Sequence, residues 1–294
     1  MSVPIEKFEN PGIQNPAFSI LIPSWNNLPY LRNCITSIEK NSHLKHQIIV
    51  IINEGRDGTL EWVRSQGYDY VYSTNNIGIC YGLNMSRSLV KARYILYIND
   101  DMYTAPDWDL PLYEEAVKIG NPYFMLSGTM VEHTDTGNPC VRVADFGRDW
   151  DTFREDEFLA AIPDLYKADW TGASWPPTLL HTDLWDMVGG MSIEYSPGMY
   201  SDPDLSMKCY QAGTRIFKGI GRSLVYHFGS KSTSKLKKPN TGRAVFLAKW
   251  RISANTFYKK ILRMGTDYRP IPDQDIKQLS NGVASRLKRI KNQL

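Results

Sequence analysis

Apolar positions gather early in the chain into short, nearly continuous runs: "FSILIP" (18–23), "QIIVII" (47–52), "YVYS" (70–73) and "YILYIN" (94–99). Runs of that length and composition predict strands buried on both faces. Between them the period lengthens. In "LPYLRNCITSIEK" (28–40), Leu28, Leu31, Ile35 and Ile38 fall at helical spacing. "TLEWVRSQG" (59–67) predicts a short helix closed by Gly67, and a third helix runs from about Ile79 to Lys91. Strands alternating with helices, through connections too long for hairpins, predict βαβ units and a parallel sheet. Ligands of such sheets bind beyond the carboxyl ends of the strands, near a topological switch point. The polar clusters "PSWNN", "NEGRDG", "TNNIG" and "NDDM" each follow one of the four strands, so they predict one site.

Beyond residue 105 the rhythm changes. "YFMLSGTM" (123–130), "VRVADFG" (141–147) and "SLVYHF" (223–228) predict further strands. "DWTGASWPPTLLH" (169–181) and residues 186–205 are rich in Gly, Pro and aromatics and are expected to be functional loops. A helix opens at Pro203 and closes at Gly213. "AVFLAKWRISANTFYKKIL" (244–262) predicts a helix with an aromatic face, followed by a basic, helical tail after Pro272. The expected division is an N-terminal arm (1–16), an α/β domain (17–230, with halves 17–104 and 105–230), and a basic loop with terminal helices (231–294).

Composition changes this picture only by exclusion. A hydrophobic content of 42% with 22% charged residues is that of a globular chain. A formal net charge of +3 supplies no overall field for nucleic acid, although basic residues gather at 231–238 and 286–294. Cys34, Cys80, Cys140 and Cys209 are far apart and show neither a zinc spacing nor a disulfide framework. No apolar window spans a bilayer, and no signal peptide is legible. The expectation is a cytoplasmic protein, with peripheral membrane contact through the basic C-terminus as an addition.

The chemistry concentrates in "YINDDM". Two adjacent carboxylates at the end of a buried strand are costly unless paired. A divalent cation held between Asp100, Asp101 and a diphosphate would account for them. Capping, or pairing with surface Lys and Arg, is the structural alternative. Asp202 stands before a helix, where it suits either a general base or an N-cap to Pro203. His227 ends a strand and is either a metal ligand or structural, and the lysines after it, Lys231 and Lys235 among them, suit a diphosphate lid.

These motifs resemble, in order and spacing, those of family 2 glycosyltransferases of the GT-A fold. "FSILIPSWNN" is similar to the family's opening strand and loop, "IIVIINEGRDGT" to its second strand, and "NNIGICYGLNMS" to its Asn-rich turn. "YILYINDDM" is similar to its DxD motif, and "LWDMVGGMSIEYSPGMYSDPDLSMKCYQAG" to its acceptor-side block. The resemblance spans roughly residues 18 to 230. It implies an α/β GT-A (Rossmann-like) fold, a mostly parallel sheet flanked by helices, with a C-terminal acceptor-side region. It also implies an inverting enzyme that uses Mn²⁺ or Mg²⁺ to move a sugar from a nucleoside-diphosphate donor, UDP-sugars favoured, to a glycan or lipid-linked hydroxyl.

Residue by residue, the resemblance makes Asp101 and His227 metal ligands and puts Asp100 toward the ribose or metal. Pro23, Ser24 and Trp25 line the base pocket, with Asn76 and Gly78 in the turn near the nucleotide. Asn53 stands where the family has Asp, so base reading falls to Asn53 or Glu54. Asp202 aligns with the catalytic base and Asp204 is its neighbour; Asp169, Trp170 and Trp175 suit sugar contact. Two rivals remain open at this point: a sugar-1-phosphate nucleotidyltransferase and a non-catalytic carbohydrate-binding protein. The first wants a Gly-rich basic loop after strand one, which "IPSWNNLP" does not have.

Overall fold

The computed structural model describes residues 4–229, 241–274, 276–282, 285 and 289. Among them, eleven strands form one sheet in the order β1-β4-β3-β2-β5-β10-β7-β11-β6, with β8 on β7 and β9 on β11. The alternating half folds as its pattern predicts. β2 (Phe18–Trp25), β3 (Gln47–Asn53), β4 (Asp69–Ser73) and β5 (Tyr94–Tyr97) are mutually parallel. They are linked through α1 (Leu28–Asn41), α2 (Thr59–Gln66) and α3 (Gly78–Ser86). Gly67 closes α2 in the left-handed conformation, as a C′ glycine does.

The sheet is mixed rather than uniformly parallel. The expected arm contains β1 (Ile5–Phe8), which pairs antiparallel with β4 and protects that edge. The expected loop 169–181 contains β9 (Trp170–Thr171) and β10 (Thr178–His181), and β10 wedges antiparallel between β5 and β7 (Phe124–Glu132). The strand expected over 141–147 shrinks to β8 (Arg142–Val143). β11 (Ile216–His227) starts seven residues before "SLVYHF" and runs parallel to β7, with β6 (Met102–Thr104) antiparallel at its far edge.

The two faces of the sheet bury different helices. Ile20, Ile22, Ile48 and Val50 pack against α1, α2 and α4 (Leu110–Ile119) through Leu31, Ile35, Val63 and Leu112. Leu21, Ile49 and Ile51 face the other way, toward α3, α6 (Thr182–Val188) and α7 (Ser201–Gln211). A third cluster seats α5 (Glu155–Leu165), through Phe158 and Ile162, against Tyr226 and Phe228. The helix expected over 244–262 is broken. α8 (Gly242–Trp250) ends at Arg251 in the left-handed conformation, and Ala254–Thr256 then runs into a π-helical stretch, Phe257–Leu262.

Lys231 and Lys235 lie outside the described residues, as does the basic stretch 286–294 apart from residue 289. No helix among the described residues is long and apolar enough to cross a membrane.

Candidate active site

The chain order β2, β3, β4 grows the sheet in one direction, and β5 then returns to the other side of β2. That reversal is a topological switch point. A cavity of about 530 Å³ opens there, lined by residues from the ends of β2, β3 and β5 and from the turn after β4. Pro23, Ser24, Trp25, Asn53, Asn76, Asp100, Asp101, Trp175 and Asp202 all line it.

The register of the sheet explains the acidic end. Asp100 and Asp101 follow β5, and both are only 3% exposed. The next residue, Met102, pairs with His227 across β6 and β11, which brings His227 Nε2 to 3.5 Å from Asp101 Oδ1. On the other side of the ring, His227 Nδ1 lies 3.0 Å from Glu132 Oε1 at the end of β7. Burial alone would lower the pKa of this imidazole, yet the Asp101 and Glu132 carboxylates raise it to about 10.

This arrangement fits a divalent cation in part. Two carboxylates and an imidazole suit Mn²⁺ once the ring gives up the extra proton that its carboxylate neighbours favour. No group of three or more His, Cys, Asp and Glu among the described residues is arranged as a finished metal site. A cation here would need oxygens from a bound phosphate, which is how Mg²⁺ is ordinarily held.

The opposite wall is α7. Its N-cap is Tyr200, in the left-handed conformation, so the helix starts two residues earlier than Pro203 and Asp202 is inside the first turn. The N-cap role for Asp202 is therefore taken by another residue. No described residue donates a hydrogen bond to the Asp202 carboxylate, and burial pushes it up to about 7. Its side chain reaches solvent through the cavity that it lines.

Other residues singled out from the sequence stand away from the cavity lining. Asp169 accepts from Gly221 N at 2.9 Å and pairs with Lys218, which also holds Glu115. Trp170 is a core ring that donates from Nε1 to Thr129 Oγ1 and lies flat under Gly219, where a Cβ would meet it at 1.8 Å. Asp204 is fully buried on the far side of α7, taking hydrogen bonds from Trp250 Nε1 (2.7 Å), Lys249 and Ser192. Glu54 accepts from Asn26 Nδ2 at 3.0 Å and pairs with Arg56. Gly78 supports the Asn76 turn: its φ is +77°, and a Cβ would come within 2.9 Å of Ser196 Oγ.

Several lining residues were not singled out from the sequence as site residues: Tyr97, Tyr200, Asn255 and Tyr258. Tyr258 comes from the π-helical stretch, and its ring meets Trp175 edge-on at 5.3 Å. π-helical turns are frequent at functional sites, but nothing in the sequence marked this one.

A cavity at the switch point of an α/β sheet, lined by carboxylates, carboxamides and aromatic rings, is where ligands of such sheets bind. The model of glycosyl transferase family 2 matches residues 19–182, more than half of the chain, and the chain belongs to that family. Solved structures agree on a GT-A fold. Residues 1–349 of S. aureus TarS, in complex with UDP-GlcNAc, align with a TM-score of 0.53 at 16% identity, covering 79% of this chain and 64% of that one. The mannosyltransferase PcManGT from Pyrobaculum calidifontis, in complex with GDP-Man and Mn²⁺, aligns with a TM-score of 0.51 at 14% identity, covering 84% and 64%. The chain thus spans about two thirds or less of the length of each. No curated protein matches it.

Proposed function

We propose that this protein is an inverting glycosyltransferase that moves a sugar from a nucleoside diphosphate to a neutral hydroxyl acceptor. The observation that carries the reading is one cavity lined at once by Asp100 and Asp101, by Asn53, Asn76 and Trp25, and by the elevated-pKa carboxylate of Asp202. Family membership and the ligands named for the two fold neighbours support a nucleotide-sugar donor.

In this reading Asp202 takes the proton of the acceptor hydroxyl on a carboxylate oxygen. The hydroxyl oxygen attacks the anomeric carbon from the face opposite the diphosphate. The bond from that carbon to the diphosphate oxygen breaks, and its electron pair leaves with the diphosphate. Asp101 and His227, with Asp100 beside them, would hold a divalent cation, while Glu132 fixes the His227 ring through Nδ1. A cation bound there would supply Lewis-acid neutralisation of the charge on the leaving group. The charged members of the described lining, Asp100, Asp101 and Asp202, are all acidic, which supports a cation beside a diphosphate. Trp175, Tyr258 and Asn255 form the wall beside Asp202, where an acceptor ring would stack.

The test is to incubate the full chain with a panel of nucleoside-diphosphate sugars, Mn²⁺ and simple glycoside acceptors, following nucleotide release and the anomeric configuration of the product. Release that depends on Mn²⁺ and on Asp202, with the configuration inverted, is expected. A product of retained configuration would remove Asp202 from the role of base. Nucleotide binding without any turnover would favour the non-catalytic alternative.

A further inference from the structure

Another cavity, of about 460 Å³, opens at the opposite end of the same strands. That volume is in the range of small-molecule sites, ~300–1,000 Å³. Pro16 precedes β2, Leu44 and Lys45 precede β3, and Arg93 precedes β5, which starts at Tyr94. Tyr113 of α4 walls one side. Tyr94 stands six residues before Asp100 along the strand direction. At ~3.3 Å per residue the two cavities are therefore about 20 Å apart, and they share no lining residue.

The two cavities carry opposite charge. The charged lining of the candidate active site is acidic, whereas here it is Lys45 and Arg93, and no Asp or Glu lines this cavity among the described residues. Both cations are exposed, and neither side chain has a hydrogen bond or ion pair among the described residues. Exposed cations alone can be served by water. Tyr94 is different, because it is only 6% exposed and its ring is packed edge-on against Tyr113 at 6.3 Å and His181 at 5.6 Å. Its hydroxyl has no hydrogen-bond partner among the described residues, where a buried phenol ordinarily finds one. The cavity that Tyr94 lines is the place from which a partner can come.

An ammonium, a guanidinium and a phenol are all donors, and the first two are cationic, so together they suit a compact, acceptor-rich anion such as a phosphate. A bare ion would leave the apolar part of the wall, Leu44, Pro16 and the Tyr113 ring, uncovered. A phosphate carried on a sugar ring covers it, since the C–H face of a sugar packs on an aromatic ring. We propose that this cavity binds a sugar phosphate monoester, with the phosphate between Arg93 and Lys45, Tyr94 Oη donating to a phosphate oxygen, and the sugar against Tyr113. The site is non-catalytic and needs no cation, because its own side chains supply the positive charge. It is independent of the nucleotide-sugar reading, which uses none of its residues.

The experiment is calorimetric titration of the full chain with glucose 6-phosphate, inorganic phosphate and glucose, each with Mg²⁺ and with a chelator. The native protein is compared with Arg93→Gln, Lys45→Gln, Tyr94→Phe and Asp101→Ala. Glucose 6-phosphate should bind more tightly than phosphate or glucose, and equally with Mg²⁺ or chelator. Arg93→Gln and Lys45→Gln should each weaken it about tenfold, the worth of a hydrogen bond to a charged group. Both positions are exposed, so neither change disturbs the core. Tyr94→Phe keeps the ring and should weaken binding by a smaller factor, about threefold to tenfold. Asp101→Ala should change nothing. Binding that requires Mg²⁺, or that is lost in Asp101→Ala and kept in Arg93→Gln, would belong to the active-site cavity and overturn the proposal. So would glucose 6-phosphate that fails to bind the native chain, and inorganic phosphate that binds as tightly would overturn the sugar-phosphate assignment. None of these results touches the nucleotide-sugar reading, which its own turnover assay decides.

Discussion

Burial holds the Asp202 carboxyl up to about 7, so on the acid side of neutrality a large share of it carries a proton and cannot accept another. A general base works in its ionised form, and kcat/KM reports the free enzyme. We expect kcat/KM to rise with pH through about 7 and to level off above it, and Asp202→Asn to remove that step along with most of the activity. The same shift has a consequence for stability of opposite sense. The folded state keeps the proton up to about 7, whereas an unfolded aspartate loses it near its ordinary value of 3.8. Between those two values the native state binds more protons, so stability falls as pH rises through the window. Asp202→Asn lifts that penalty. It should be more stable than the native chain above pH 7, by on the order of 1–3 kcal/mol in urea titrations, and equal to it in acid. Equal midpoints at about pH 8 would mean that solvent in the cavity relieves the carboxylate and that the raised pKa is not a property of the folded protein.

At the level of single elements, α7 carries chemistry on one side and an anchor on the other. Asp204 is two residues beyond Asp202 and points away from the cavity, into Trp250 Nε1, Lys249 and Ser192, which tie α7 to α8 and to the turn before α7. Asp204→Ala leaves the indole N–H and the ammonium without their shared acceptor. It should cost about 3 kcal/mol in guanidinium unfolding and slow turnover by displacing the first turn of α7. Full stability in that variant would show that the cluster is not what holds the helix. The chain advertised α7 through Pro203 and Gly213 but hid its start, because Tyr200 caps it in a left-handed conformation that an aromatic residue does not signal. The parallel strands were legible because they are buried on both faces and read as unbroken apolar runs. β10 was not, since four residues, "TLLH", follow a stretch of Gly, Trp and Pro that reads as loop. β1 escaped for the opposite reason: it is an exposed edge strand, "IEKF", and gains its order from β4 rather than from its own pattern. The break at Arg251 carries neither Gly nor Pro, yet Ser253 behind it caps the next turn by accepting from Thr256 N. For the site, the polar ends of the strands were readable as a group. The lining from residues 254–258 depends on how distant helices fold back, which no local pattern encodes.

Across the whole molecule, the stretch that matches the family model ends at residue 182, before Asp202, His227 and Tyr258. The described terminal helices share their packing with the rest of the chain. Phe246, Phe257, Ile261 and Leu262 are fully buried in the same cluster as Leu21, Ile49 and Val71 of the nucleotide half. Burying a large apolar side chain contributes about 1.5–3 kcal/mol, so these four together contribute ~6–12 kcal/mol. That is comparable to the ~5–15 kcal/mol by which whole domains are stable. The same segment supplies Ala254, Asn255 and Tyr258 to the cavity wall, so it serves both the core and the site. A chain ended after Phe228 should therefore lose cooperative unfolding rather than merely activity. Expected are a broad, non-cooperative thermal transition, dye binding that reports exposed apolar surface, and no calorimetric response to any nucleoside diphosphate with Mn²⁺. A shortened chain that melts in one sharp transition near the native midpoint would show that residues 17–228 are a self-sufficient domain, and that the C-terminal helices only decorate it.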